Sequence, residues 1–157
     1  MIVLIFICLI IGFFSNISDY IPEEAIEYAQ KYCGSYNKDY VYLNILENEK
    51  ANFVSQCLFE GGQSLSGCRG KDIYGMIKSY NELTECLKKK GWKISNTKND
   101  KIKKGYPAFI KGTRSFLLIT DFKDNKAIYC AHKNKCNKEI DENDLIYYYL
   151  DVSKYIK

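Results

Sequence analysis

The stretch Ala51-Asn52-Phe53-Val54-Ser55-Gln56-Cys57-Leu58-Phe59-Glu60-Gly61-Gly62 decides how this chain is read. Phe53, Val54, Cys57 and Leu58 recur at helical spacing and give one apolar face, which predicts a short buried helix over about 51–60. Gly61 and Gly62 supply the left-handed conformations that close a helix C-terminus. Asn52 and Ser55 are poor residues for a helix interior because their side chains compete for backbone hydrogen bonds. Their place on an apolar segment calls for a cap, a hydrogen bond inside the core, or a site.

Working outward, Pro22-Glu23-Glu24 opens an earlier helix, since proline suits the first helical turn and acidic residues favour the positive end of the dipole. Its stripe is Ala25, Ile26, Ala29 and Tyr32 or Cys33, and Gly34 ends it. Residues 35–49 form a Tyr- and Asn-rich connection, with a short extended piece over Val41 to Leu46. Residues 61–80 are rich in Gly and Ser, which is loop chemistry. Asn81 is a plausible cap for a third helix with Leu83, Cys86 and Leu87 on its inner face, ended by Gly91. Trp92 and Ile94 begin an extended segment, and Ser95 to Lys101 is a polar surface loop. The last third reads as strands over 108–111, 115–120 and 127–132, with Asp124-Asn125 as a hairpin turn. Residues 141–150 close the chain as a short helix or a strand. The expected order is helix, central helix, loop, helix, then an antiparallel sheet, in an α+β domain.

The chain has 157 residues, 46% of them hydrophobic, which is enough to bury one core. Residues 2–14 carry no charge. A run of that length is short for a bilayer span and suits a signal-peptide core, although no Lys or Arg precedes it. Residues 1–18 are therefore expected to be a signal peptide, with an uncleaved anchor as the alternative, and 19–157 a single secreted domain that needs no membrane after cleavage. Apart from Cys8, the cysteines are Cys33, Cys57, Cys68, Cys86, Cys130 and Cys136. An even number in a secreted domain reads as disulfides; sequence alone does not choose among the fifteen pairings of six, although Cys130 and Cys136 could close a short loop through His132 to Lys135. No Cys-x-x-Cys spacing exists and His132 is the only histidine, so the sequence points to no structural zinc, no other metal and no cofactor. The net charge of +4 is modest. The run Lys88 to Lys90 with Lys93 lacks interleaved aromatics and reads as a solvated helix end, not a nucleic-acid surface. Nothing in the sequence fixes the oligomeric state.

Asn52-Phe53-Val54-Ser55-Gln56-Cys57-Leu58 and Gly61-Gly62 resemble the signature of the putative amidase domain family, papain-like relatives of cell-wall amidases and peptidases. That signature runs Asp-Cys-x-Asn-Phe-x-Ser-Gln, followed by a Gly-Gly turn. Leu87 to Lys93 with Gly91-Trp92, Gly105-Tyr106-Pro107 and Tyr129-Cys130-Ala131-His132 are similar to later family segments, so the resemblance covers roughly residues 22–150. It implies a papain-like fold, with a central helix packed on an antiparallel sheet. It also implies amide hydrolysis by a cysteine at a helix start, activated by a histidine that takes and returns the proton.

The chain departs from that pattern at two places. Counting back from Asn52 puts Lys50 at the nucleophile and Glu49 at the usual Asp. Counting back from Leu118-Ile119-Thr120 puts Ser115 at the histidine. The resemblance thus implies a catalytically degenerate domain that binds a peptide, peptidoglycan or other glycan ligand in a retained cleft, with Asn52, Ser55, Gln56 and His132 as the ligand-binding candidates. One alternative is an active amidase or peptidase with an atypical dyad, such as Cys57 with His132, or with Lys50 or Ser115 as nucleophile. Another is a structural secreted interaction protein.

Overall fold

The computed structural model describes residues 20–40, 46–133 and 135–151, and of residues 46–49 the backbone alone. The expected signal peptide, residues 41–45 of the extended piece expected over Val41 to Leu46, and the side chain of Glu49 lie outside the described residues, while Leu46 is helical instead of extended.

Among the described residues, three helices pack on one sheet. Helix α1 spans Pro22–Tyr32, with Pro22 in its first turn, Glu23 and Glu24 at its positive end and Lys31 in its last turn. Ala25, Tyr28 and Ala29 form its buried face. Helix α2 spans Leu46–Glu60, so the central helix starts five residues before its expected start at Ala51. Its stop is a Schellman motif: Gln63 N–H donates to Leu58 O at 2.8 Å and Gly62 N–H to Phe59 O at 2.9 Å. Gly62 is left-handed, at φ 87°. Gly61 serves a different purpose from the one expected, because a Cβ there would lie 2.7 Å from the Tyr20 ring and 3.0 Å from Ala25 Cβ. The missing side chain lets α1 cross close to the end of α2, where Ile21 N–H donates to Gly61 O at 2.7 Å.

Helix α3 spans Tyr80–Lys89. Its cap is Ser79 and not Asn81, as Glu82 N–H donates to the Ser79 hydroxyl. That hydroxyl in turn donates to the Glu82 carboxylate at 2.8 Å. A serine followed three residues later by a glutamate is a capping-box pattern. Gly91, at φ 88°, turns the chain into the sheet.

The six strands are β1 (Trp92–Ser95), β2 (Pro107–Ile110), β3 (Phe116–Lys123), β4 (Lys126–Ala131), β5 (Lys135–Asp141) and β6 (Leu145–Leu150). They pair antiparallel in the order β1-β6-β2-β3-β4-β5. The Asp124-Asn125 turn has both residues at positive φ, 49° and 61°, as a tight hairpin requires. A 3-10 turn over Glu142–Asp144 leads into β6, so the closing segment is both turn and strand. Strand β5 was not expected. Its residues are mostly charged and exposed, and among the described residues it pairs on one side only, with β4, so it carries no apolar alternation to betray it.

Alternation along β3 divides the core. Phe116 and Leu118 face the helices together with Phe109, Cys130 and Tyr148. Leu117 and Ile119 join Ala108, Ala127, Leu145 and Tyr147 on the opposite face, where Ile102 of the 96–106 loop covers them. Burying side chains of this size contributes roughly 1.5–3 kcal/mol each.

Two disulfides are formed, Cys68–Cys86 and Cys130–Cys136. The expectation of six bridged cysteines is corrected to four: Cys33 and Cys57 are buried free thiols, each inside the helical layer.

Candidate functional site

Lys50 lies in the second turn of α2, and Ser115 ends the turn before β3. The two are 65 residues apart in sequence, yet Lys50 Nζ donates to Ser115 Oγ at 2.8 Å. Counting residues from two unrelated landmarks thus leads to two side chains that touch. Both are partly buried. Beside them an open groove of about 580 Å³ is lined by Tyr80, Gly112, Thr113, Arg114 and Ser115. Tyr80 forms a wall, held by ring contacts to Phe109 and Phe116 at 5.3 and 5.2 Å. Arg114 is exposed and lines this groove. Sequence reasoning named neither Tyr80 nor Arg114. Their only sequence signal is adjacency, Arg114 to Ser115 and Tyr80 to the start of α3.

His132 follows β4. Its ring lies 5.2 Å from that of Phe53, the residue one turn beyond Lys50 on α2, and 4.2 Å from that of Tyr36. The antiparallel register pairs Leu118 with Cys130, and His132 lies in the turn just past the end of β4. The ring is buried, with aromatic neighbours on two sides.

The polar residues of the opening stretch turn inward. Asn52, Ser55 and Gln56 are all buried. Asn52 Nδ2 donates to Asp72 Oδ2 at 3.1 Å and to Ile77 O at 3.2 Å. Gln56 Nε2 donates to Asn52 Oδ1 at 2.7 Å, and Gln56 Oε1 accepts from the Tyr28 hydroxyl at 2.7 Å. The Ser55 hydroxyl donates to Asn52 O and accepts from Ile77 N–H at 3.0 Å. Asp72 also caps its own turn, accepting from the N–H groups of Tyr74 and Met76. These side chains hold the 71–77 turn against α2 and brace α2 against α1. The polar groups of Asn52, Ser55 and Gln56, the residues expected to meet a ligand, bond to other parts of the protein and so serve as scaffolding.

Cys57 is fully buried, and burial pushes its thiol well above the ordinary value. A nucleophilic cysteine needs the opposite shift and access to solvent. Cys57 lies almost two turns beyond Lys50, on the face that packs into the core. Among the described residues, one group has its ligand atoms close enough together to hold a metal: the sulfurs of Cys33, Cys130 and Cys136, all within 4.8 Å of one another. Two of the three are joined as a disulfide, which removes the thiolates that a metal would bind.

No curated protein and no solved structure matches this chain. A family model does, over residues 19–155, and it covers both halves of the Lys50–Ser115 contact and the whole of α2. The chain belongs to the putative amidase domain family.

Proposed function

We propose that this chain is a secreted, catalytically degenerate amidase-family domain of papain-like fold that binds a peptide or cell-wall-type ligand without cutting it. The observation that carries this reading is the 2.8 Å contact of Lys50 with Ser115. In the family's chemistry a cysteine thiolate and an imidazole meet at these two positions. Here an ammonium and a hydroxyl meet instead, and the backbone frame from Asn52 to Gly62 is kept. The Lys50 ammonium on Ser115, with Arg114 lining the adjoining groove, suits a carboxylate or carbonyl-rich ligand. Two disulfides fit an oxidising compartment, and no helix among the described residues is long and apolar enough to cross a membrane.

The same contact favours a second reading, a serine hydrolase with Ser115 as nucleophile and Lys50 as base. A lysine serves as a base near neutral pH only where burial disfavours its charge. Lys50 is only partly buried. The binding reading is therefore the stronger.

The test is incubation of the protein with peptidoglycan fragments and peptide amides, followed by product analysis and calorimetric titration. Binding without product is expected. Labelling of Ser115 by a fluorophosphonate, or turnover lost on Ser115→Ala, overturns degeneracy in favour of the second reading. The double substitution K50C/S115H restores the family pair on the retained frame and should gain a thiol that reacts faster than that of K50C alone. Absence of both binding and gained reactivity overturns the cleft itself.

A further inference from the structure

Cys33 closes the C-terminus of α1, and its thiol is buried. Cys130 and Cys136 are bridged across the turn that joins β4 to β5. The Cys33 sulfur lies within 4.8 Å of both bridged sulfurs, and Cys136 Sγ sits 3.6 Å from the Ala29 carbonyl oxygen in the last turn of α1. A third sulfur thus stands beside a disulfide that belongs to another part of the fold. Rotation about a cysteine χ1 moves a sulfur by a large part of such a separation.

We infer that Cys33 is an exchange nucleophile for the Cys130–Cys136 disulfide, converting it to Cys33–Cys130 and releasing Cys136. The Cys33 thiolate attacks Cys130 Sγ. The Cys33–Cys130 bond forms as the Cys130–Cys136 bond breaks, and the electron pair leaves on Cys136, which takes up the proton given up by Cys33. The step is an isomerisation and needs no external oxidant or reductant. Cys130 is the sulfur attacked because the alternative would release a thiolate at Cys130, which is fully buried, whereas Cys136 is partly exposed and its thiolate can be solvated. Burial pushes the Cys33 thiol up, which keeps the exchange slow at neutral pH.

The consequence falls on the candidate site. The turn closed by the present disulfide carries His132, which packs against Phe53 of α2 and against Tyr36, three residues after Cys33. After exchange, α1 is tied to β4 and that turn is opened. The position of His132 then depends on which pair is bridged, and a partly exposed thiol at Cys136 becomes available to small disulfides.

Trypsin cuts after Lys31, Lys38, Lys133, Lys135 and Lys138, so each of the three pairings gives a cross-linked peptide of different mass. The full chain is held for hours in a glutathione redox buffer, quenched with N-ethylmaleimide and digested without reduction. A mixture of Cys130–Cys136 and Cys33–Cys130 peptides is expected, with Cys136 alkylated in the second species. Recovery of Cys130–Cys136 alone, with Cys33 always alkylated, overturns the inference. The variant Cys136→Ser offers an independent arm: oxidised glutathione should close Cys33–Cys130 in most molecules. Persistence of a glutathione adduct on Cys130 beside a free Cys33 also overturns it. Neither arm depends on whether the cleft binds a ligand.

Discussion

The hydroxyl of Tyr20 donates to the carbonyl oxygen of Gly105, a residue 85 positions away, and so fastens the entry to α1 against the entry to β2. Tyr20 also meets Trp92 and Tyr106 through ring contacts at 5.5 and 6.2 Å, which makes this the joint between helix layer and sheet. Gly105 is left-handed, at φ 81°, and a Cβ there would lie 2.4 Å from Pro22 Cβ and 2.6 Å from Pro22 O. Gly105→Ala is expected to destabilise the protein by more than about 1 kcal/mol, since strain and backbone clash add. A urea midpoint unchanged by this substitution contradicts the close approach of Pro22.

Asn52 and Asp72 couple α2 to the 71–77 turn. Leaving a buried polar group without its partner costs about 1–3 kcal/mol. Asn52→Ala orphans groups on Asp72, Gln56 and Ile77 and should sit at the upper end of that range. In a double-mutant cycle with Asp72→Ala, the two losses should be less than additive, because both remove the same bond. Additive losses in chemical denaturation count against the coupling.

The Cys68–Cys86 disulfide joins the Gly-rich loop to the buried face of α3 across 18 residues of sequence. Constraining a loop of that size in the unfolded chain is worth about 3 kcal/mol. The double variant C68A/C86A should lose close to that amount in equilibrium unfolding. Loss confined to proteolysis between residues 61 and 80, with no change in global stability, would mean that the loop unfolds separately.

Stability should fall in alkali. Burial raises the Cys57 thiol above its ordinary 9.0 and the Tyr20 and Tyr148 hydroxyls above 10.0, Tyr148 to about 12. As pH rises past the ordinary values, the unfolded chain releases these protons while the folded chain keeps them. The unfolded state then binds fewer protons, so the free energy of unfolding declines with pH. The stabilisation is complete below about pH 9 and is lost progressively toward pH 12. Urea midpoints measured from pH 7 to pH 11 should be flat and then decline. A midpoint that does not change up to pH 11 contradicts this burial.

Much of this arrangement was legible in residue order. The apolar spacing of Phe53, Val54, Cys57 and Leu58 gave the central helix, and the Asp124-Asn125 pair gave its hairpin. Counting from two family landmarks singled out Lys50 and Ser115, which the fold brings into contact. The remainder depends on partners that exist only after folding. Asn52, Ser55 and Gln56 stood out as polar residues on an apolar face, but their partners are Asp72, Ile77 and Tyr28, and no local pattern links them. Ser79 was passed over as a cap because Asn81 is also a good capping residue, and only the Glu82 contact separates the two. Strand β5 went unseen because an edge strand buries too little to need apolar residues. The short spacing of Cys130 and Cys136 already suggested the loop they close, whereas the Cys68–Cys86 pairing follows from where α3 lies, which spacing does not encode.

That edge strand has one more consequence. Lys135, Lys138 and Glu139 are exposed along β5, and Asn137 interrupts its extended backbone at φ 54°. A second chain adding itself beside β5 would have to desolvate those charges and match a broken ladder. The six-stranded sheet is therefore closed to lateral growth on this side. A protein rich in tyrosine and β-structure is in this way protected at that edge from fibrillar self-association in concentrated solution.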